Sequence, residues 1–194
     1  MSLKEKIVHE SLKLFSLKGF LSTSIDEILK ATNASKGGFY NHFKSKEDLF
    51  YHVLNEARSI WRNRNLKGLS RIIDPIKKIK QLIANYRDNY IKDSENFPGG
   101  CIFTTLLLEL CDQRPHLAHE INKGFLGVKR MLKQNLDQGK ELGKLRKDAN
   151  TEAIANILFN SMLGASVTYN AEKSATGLDA SINAIIDYLE QLEV

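Results

Sequence analysis

Apolar residues recur at three- and four-residue spacing along almost the whole chain, and strict alternation over the length of a strand is absent. The pattern predicts an all-α protein of about nine helices. Ile7, Val8, Leu12, Leu14 and Phe15 form the buried side of a first helix, which Gly19 can end in a left-handed cap. Thr23 or Ser24 caps a second helix, with Asp26 and Glu27 in its positive first turn and Ile25, Ile28 and Leu29 pointing inward. It stops near Thr32-Asn33, because Asn tolerates the left-handed conformation of a sharp turn, and Ser35 then caps a short third helix ending at Phe43. Ser45, with the acidic Asp48 three positions on, starts a fourth helix through Leu49, Val53 and Trp61. Asp74-Pro75 supplies another N-cap with proline at the first helical position. Further helices are predicted over about 75–93, 101–113, 116–142, 151–173 and 179–193, separated by Phe97-Pro98-Gly99-Gly100, Arg114-Pro115, Gly143 to Asn150 and Ser174 to Gly177. The domain boundary is expected inside helix four, with residues 1–48 as a small N-terminal domain and 49–194 as a larger helical one.

At 194 residues the chain can bury a sizeable core without covalent staples. Its two cysteines, Cys101 and Cys111, exclude a disulfide framework of the secreted kind and fit a reducing cytoplasm. The opening Met1-Ser2-Leu3-Lys4-Glu5-Lys6 mixes both charge signs and leads into no unbroken apolar stretch, so no secretory signal is expected. Apolar runs such as Thr104 to Leu108 fall short of the ~20 residues a bilayer requires, and no membrane partner is expected. Lys and Arg number 28 against 23 acidic residues, a net charge of +5 that favours a polyanionic partner only mildly. The distribution says more: from Lys30 to Lys46 there are four cations (Lys30, Lys36, Lys44, Lys46) and no carboxylate. Charge alone favours the plain reading, a solvated helix face.

Two short helices joined by a tight turn, the second opening on Ser35-Lys36-Gly37-Gly38-Phe39-Tyr40-Asn41-His42-Phe43, have the layout of a helix-turn-helix. Gly37 and Gly38 each cost a helix about 1 kcal/mol against Ala, and close approach of the backbone to DNA is a reason to keep them. The helix N-terminus can then press into the major groove. Lys36 and Asn41 are the candidates for base edges; Tyr40, His42, Thr23 and Lys46 are the candidates for phosphates, with Ser24 and Ser35 beside them at the two helix starts. Phe39 and Phe43, four apart, belong to the core.

Residues 7–53 resemble the DNA-binding domain of the TetR family. The likeness rests on Ile7 through Leu14-Phe15, Gly19, Thr23-Ser24, Ile28, Ser35-Lys36-Gly37, Tyr40-Asn41-His42-Phe43 and Ser45-Lys46-Glu47 with Leu49. It implies a homodimeric repressor that binds palindromic double-stranded operator DNA and releases it when the C-terminal domain takes up a small-molecule effector. It also implies phosphate contacts for Tyr40, His42, Thr23 and Lys46. The sequence departs from the family pattern in the turn, where Thr32-Asn33-Ala34 stands for the usual Ala-Gly-Val, and at Leu29, commonly a smaller residue. Asn33 can supply the conformation of the missing glycine.

Beyond residue 60 the likeness is weaker. Gly99-Gly100-Cys101-Ile102 through Glu109-Leu110, with Gly143-Lys144-Leu145 further on, is similar to a TetR subgroup with a Gly-Cys motif, some members of which respond to electrophiles or oxidants through cysteine. Cys101, near a helix start, is then a candidate responsive thiol, and a buried, inert cysteine is the plain alternative. Cys111 falls about 15 Å further along if one helix holds both, too far for an intrachain bridge. An effector cavity is expected among helices five to eight, drawn from Tyr86, Tyr90, Cys101, Phe103, Phe125, Phe159 and Met162, although aromatics at helical spacing also serve as simple core. Ile154, Ile157, Leu158 and Met162, with Ile182, Ile185, Ile186 and Leu189, make stripes wide enough for both a core and a symmetric four-helix dimer interface.

Other chemistries have little support. His116-x-x-His119-Glu120 near Cys111 lacks a third ligand at metal spacing, and the plain reading is a polar first turn after Pro115. No nucleophile has a recognisable base, and there is neither a phosphate loop nor a paired-carboxylate motif, so no enzyme activity and no cofactor are expected. A helical adaptor would not account for Gly37-Gly38.

Overall fold

Most helix starts in the chain follow from local capping chemistry. Ser2 opens α1 (Leu3–Lys18) with a reciprocal box, its Oγ accepting from the Glu5 amide and the Glu5 carboxylate accepting from the Ser2 amide at 2.7 Å. The helix ends at Gly19, whose amide donates to the Phe15 carbonyl at 3.0 Å. Its φ of 82° is positive as expected, but ψ is 173°, an extended conformation open essentially to glycine alone, so the chain leaves α1 straight instead of coiling left-handed. Ser24 caps α2 (Ile25–Thr32), and Asn33 ends it in the left-handed conformation at φ 53°, ψ 39°. Ser35 caps α3 (Lys36–Tyr40), which is shorter than the predicted run to Phe43. Before α4 (Lys46–Asn65), Ser45 accepts from the Asp48 amide at 3.0 Å, while the Asp48 carboxylate reaches back to the Lys44 amide at 2.8 Å, one residue beyond the usual box.

The computed structural model describes residues 1–194 as nine α-helices without a strand. Asp74 accepts from the Ile76 and Lys77 amides and caps α5 (Pro75–Asn85), preceded by a 3-10 turn at Leu69–Arg71. The single helix expected over 75–93 instead changes register at Tyr86–Ile91, a π-helical turn that brings the Tyr86 and Tyr90 rings to 5.6 Å. Next come α6 (Ile102–Leu110), α7 (Pro115–Glu141) and α8 (Thr151–Glu172). The last helix, α9 (Ala175–Glu190), starts earlier than Gly177 suggested, because Ser174 Oγ accepts from the Gly177 amide and draws that glycine into the first turn.

Contacts divide the chain into two compact units, one of residues 1–61 with 93–121 and one of residues 62–92 with 122–194. The boundary expected after residue 48 lies within the first unit, where Leu49, Phe50, Val53 and Leu54 of α4 are buried. Phe15, Phe20 and Phe50 meet edge to face at 5.4 Å, and Phe39 packs on Phe43 at the same distance. Each fully buried Phe contributes about 1.5–3 kcal/mol, so these rings dominate the cohesion of so small a core. In the second unit α8 packs along α9, and α9 along α5. Lys144 bonds Asp74 at 2.7 Å and holds its carboxyl below the usual range. The C-terminus is tied down by the Arg146 amide on the Leu192 carbonyl, beside a lone antiparallel bridge between Leu145 and Glu193. No helix is long and apolar enough to cross a membrane.

Candidate nucleic-acid interface

The turn between α2 and α3 is built so that one face is buried and the other is kept bare. Ser24 Oγ accepts from the Glu27 amide at 3.1 Å, and the Glu27 carboxylate accepts from the Ser24 amide at 2.9 Å. Lys18 hydrogen-bonds the same carboxylate, which is the main cause of a Glu27 pKa lowered to about 2, with the Ser24 groups adding to it. At the turn the Ala34 amide closes on the Leu29 carbonyl at 3.0 Å. Ser35 Oγ then accepts from the Gly38 amide at 3.0 Å. Phe39 and Phe43 are fully buried and anchor α3 by one side. Lys36, Gly37, Tyr40, Asn41 and His42 are left exposed on the other, with Gly38 partly covered. A Cβ on Gly37 would meet nothing nearer than Ser35 Oγ at 3.9 Å, so no internal contact requires the glycine there. Between α2 and α3 runs an open cleft of about 380 Å³ lined by Ile25, Asp26, Lys36, Tyr40 and Lys46.

Two residues expected at phosphates are engaged elsewhere. Thr23 is fully buried, and its hydroxyl donates to the Gly19 carbonyl at 2.7 Å, so it holds the α1–α2 loop instead of facing outward. Lys46 donates from Nζ to the carbonyls of Phe20 and Thr23, both at 2.8 Å, and to that of Leu21 at 3.4 Å, with the Phe20 ring 4.5 Å below. Burial pulls its pKa below the ordinary value, and the Glu109 carboxylate opposes that shift. Its ammonium is a tether for the loop, spent on three carbonyls.

Glu109, on α6, completes that loop and was not foreseen. Its carboxylate accepts from the Phe20 amide at 2.6 Å and the Leu21 amide at 2.9 Å. It occupies the space beside Gly19, where a Cβ would lie 2.4 Å from Oε1. Ahead of α6, Gly99 donates to Ser16 Oγ at 3.0 Å, and Ser16 donates to the Gly100 carbonyl at 3.3 Å. A Cβ on Gly99 would lie 1.8 Å from the Ser16 carbonyl oxygen, so the two backbones meet only because residue 99 has no side chain. Beyond α6, His116 lies 3.3 Å from the Glu47 carboxylate, and Arg114 Nε is 3.7 Å away on the other oxygen.

Residues 7–53 match the profile of bacterial regulatory proteins of the tetR family, and residues 75–185, more than half of the chain, match the tetracyclin repressor-like C-terminal domain. The chain belongs to the TetR family. Among its relatives, the transcriptional repressor DhaR of Mycobacterium sp. (strain GP1) is 23% identical over 96% of this chain and 91% of that protein. The repressor NemR of Escherichia coli (strain K12) is 25% identical over 92% of this chain and 89% of its own. A TetR regulator from Chloroflexus aurantiacus superposes with a TM-score of 0.90 at 25% identity, covering 98% of this chain and 96% of that one. These are transcriptional regulators, a class without enzymatic activity.

In this TetR regulator the C-terminal candidates separate into groups. Tyr86, Tyr90, Phe159 and Met162 are buried in the second unit, and Phe125, half-exposed, sits 5.2 Å from the Phe159 ring with Lys129 over the same ring. Cys101 and Phe103 belong instead to the first unit, both buried at the start of α6. Cys111, at the other end of α6, is exposed. Of the stripes expected to serve both core and interface, Ile154, Leu158, Met162, Ile182, Ile185 and Leu189 are buried within the single chain, in which α8 packs on α9. Ile157, 46% exposed, turns outward, and Ile186 is half-covered.

Proposed function

We propose that the protein is a cytoplasmic repressor whose two copies read the half-sites of a palindromic operator with paired α3 helices. The carrying observation is the bare outer face of α3, where Gly37 has open space around it although glycine costs a helix about 1 kcal/mol. That cost is recovered when the backbone approaches DNA closely. Lys36 and Asn41 meet base edges; Tyr40, His42 and the Ser24 and Ser35 helix starts meet phosphates and set the register. The half-sites lie at about 34–36 Å or a related helical-repeat distance.

Dimerisation through α8 and α9 is supported by what those helices leave uncovered, namely Ile157 and Val167 on α8, with Ala180 and Ala184 exposed on α9. Induction requires an effector that binds the non-operator conformation better. The apolar side chains Tyr86, Tyr90, Phe125, Phe159 and Met162 suit a mainly apolar small molecule. Cys101, 4% exposed, is packed as a small apolar residue, which favours noncovalent uptake over thiol chemistry.

The deciding measurement is anisotropy of a labelled duplex enriched by the protein from a randomised library. Tyr40→Ala should weaken binding of all duplexes alike, whereas Lys36→Met should lose discrimination at particular base pairs by roughly tenfold. Unchanged binding in both variants would overturn the reading.

A further inference from the structure

Asp26 is the one acidic residue lining the cleft between α2 and α3, and it stands among groups that suit a polyanion. In the first turn of α2 it suits the positive end of the helix dipole, but Glu27 already serves that end and closes it reciprocally with Ser24. The Asp26 carboxylate accepts no hydrogen bond, is 78% exposed, and lies 3.7 Å from the Lys36 ammonium, itself 72% exposed. A carboxylate so exposed on a DNA-facing surface repels phosphate, so whatever it gives the helix it works against DNA affinity. An ion pair this open adds little to the stability of the fold.

We propose that Asp26 is a specificity-determining residue, holding the Lys36 ammonium in the cleft until base-edge acceptors replace the carboxylate. The inference rests on the reading of α3 as the groove-entering helix. On an arbitrary duplex Lys36 must give up Asp26 to reach a phosphate, exchanging one anion for another, and the contact adds little affinity. At the matching base pair the paired O6 and N7 acceptors of a guanine offer Lys36 two partners in the groove, where the ammonium is lodged already. Nonspecific binding is suppressed while operator binding is kept, a use of repulsion to widen a difference of affinities.

The test uses the full-length protein, the library-enriched duplex as operator and a scrambled duplex of equal length as nonspecific probe, across a salt series. Asp26→Asn should tighten binding to the scrambled duplex roughly three- to tenfold and steepen its salt dependence by about 0.9 in log–log slope, one added phosphate contact. Operator affinity should change by less than about twofold, so the specificity ratio falls. Asp26→Ser should reproduce this, and thermal melts of both variants should match the parent. In a Lys36→Met background Asp26→Asn should no longer alter the slope. The proposal is overturned if Asp26→Asn leaves scrambled binding unchanged, or if its tightening persists without Lys36. Failure of the underlying interface reading is separate, since Lys36→Met and Tyr40→Ala would then leave both duplexes unaffected.

Discussion

Glu27 ties two helices through one carboxylate, closing the α2 start at Ser24 and receiving Lys18 from the end of α1. Its pKa of about 2, against the usual 4.5, means that the fold binds the ionised form more tightly than the unfolded chain does. The contribution is complete above about pH 4.5 and is lost as pH falls towards 2. Glu27→Gln should therefore lower the melting temperature at pH 7 and flatten part of its decline between pH 4.5 and 2, as circular dichroism melts would record. Flat profiles in both proteins would refute the assignment. The Ser24 cap was readable locally as one of two candidates beside Thr23, as were the left-handed Asn33 and the Ser35 cap, whereas Glu27 was legible only as a charge in the first turn and not as the reciprocal half of a box. The internal roles of Thr23 and Lys46 were not legible, for the same reason that these caps were. Their types and their nearness to helix starts suit phosphate, and nothing local reveals that the carbonyls of Gly19, Phe20, Leu21 and Thr23 engage them first.

The loop from Gly19 to Thr23 is held from both sides, by Lys46 on its carbonyls and Glu109 on its amides. Gly19→Ala faces two penalties, a conformation that belongs to glycine and a Cβ pressed against the Glu109 carboxylate. We expect a loss of about 2–4 kcal/mol by urea unfolding. Glu109→Ala should cost about 1–3 kcal/mol by stripping two amides of a charged acceptor. The double variant should be more stable than the sum of the two losses predicts, because the collision is gone; strict additivity would show that the two do not meet. Neither Glu109 nor Gly99 could be assigned from sequence, since their partners lie more than eighty residues away. The signal was the Gly99-Gly100 pair itself, which reads locally as a helix breaker and is also the place where a second backbone passes. The π-helical turn at Tyr86–Ile91 leaves no such mark, because its residues have ordinary helical spacing.

Hydrophobic period fixes which face of α8 or α9 is buried but not whether the cover is the same chain or a second copy, which is why core and interface were merged in one stripe. Ile157 now separates them, being 46% exposed beside the fully buried Leu158. Ile157→Glu should yield a folded monomer by light scattering with an unchanged helical spectrum, whereas Leu158→Glu should unfold the domain. A dimeric Ile157→Glu protein would move the interface elsewhere. The all-α class and the helix order were open to inspection because most helices carry their own cap and stripe; the division into compact units was not, because it interleaves distant stretches of chain. That interleaving bears on how such regulators can be recombined. The family profile for the N-terminal region ends at residue 53, and a chimera joined there would inherit every side chain proposed to face the operator yet lose Glu109, leaving Phe20 and Leu21 without their acceptor. A transplant meant to carry DNA specificity into a new host protein must bring the helix from Ile102 to Leu110, or a host helix with a carboxylate at the same height.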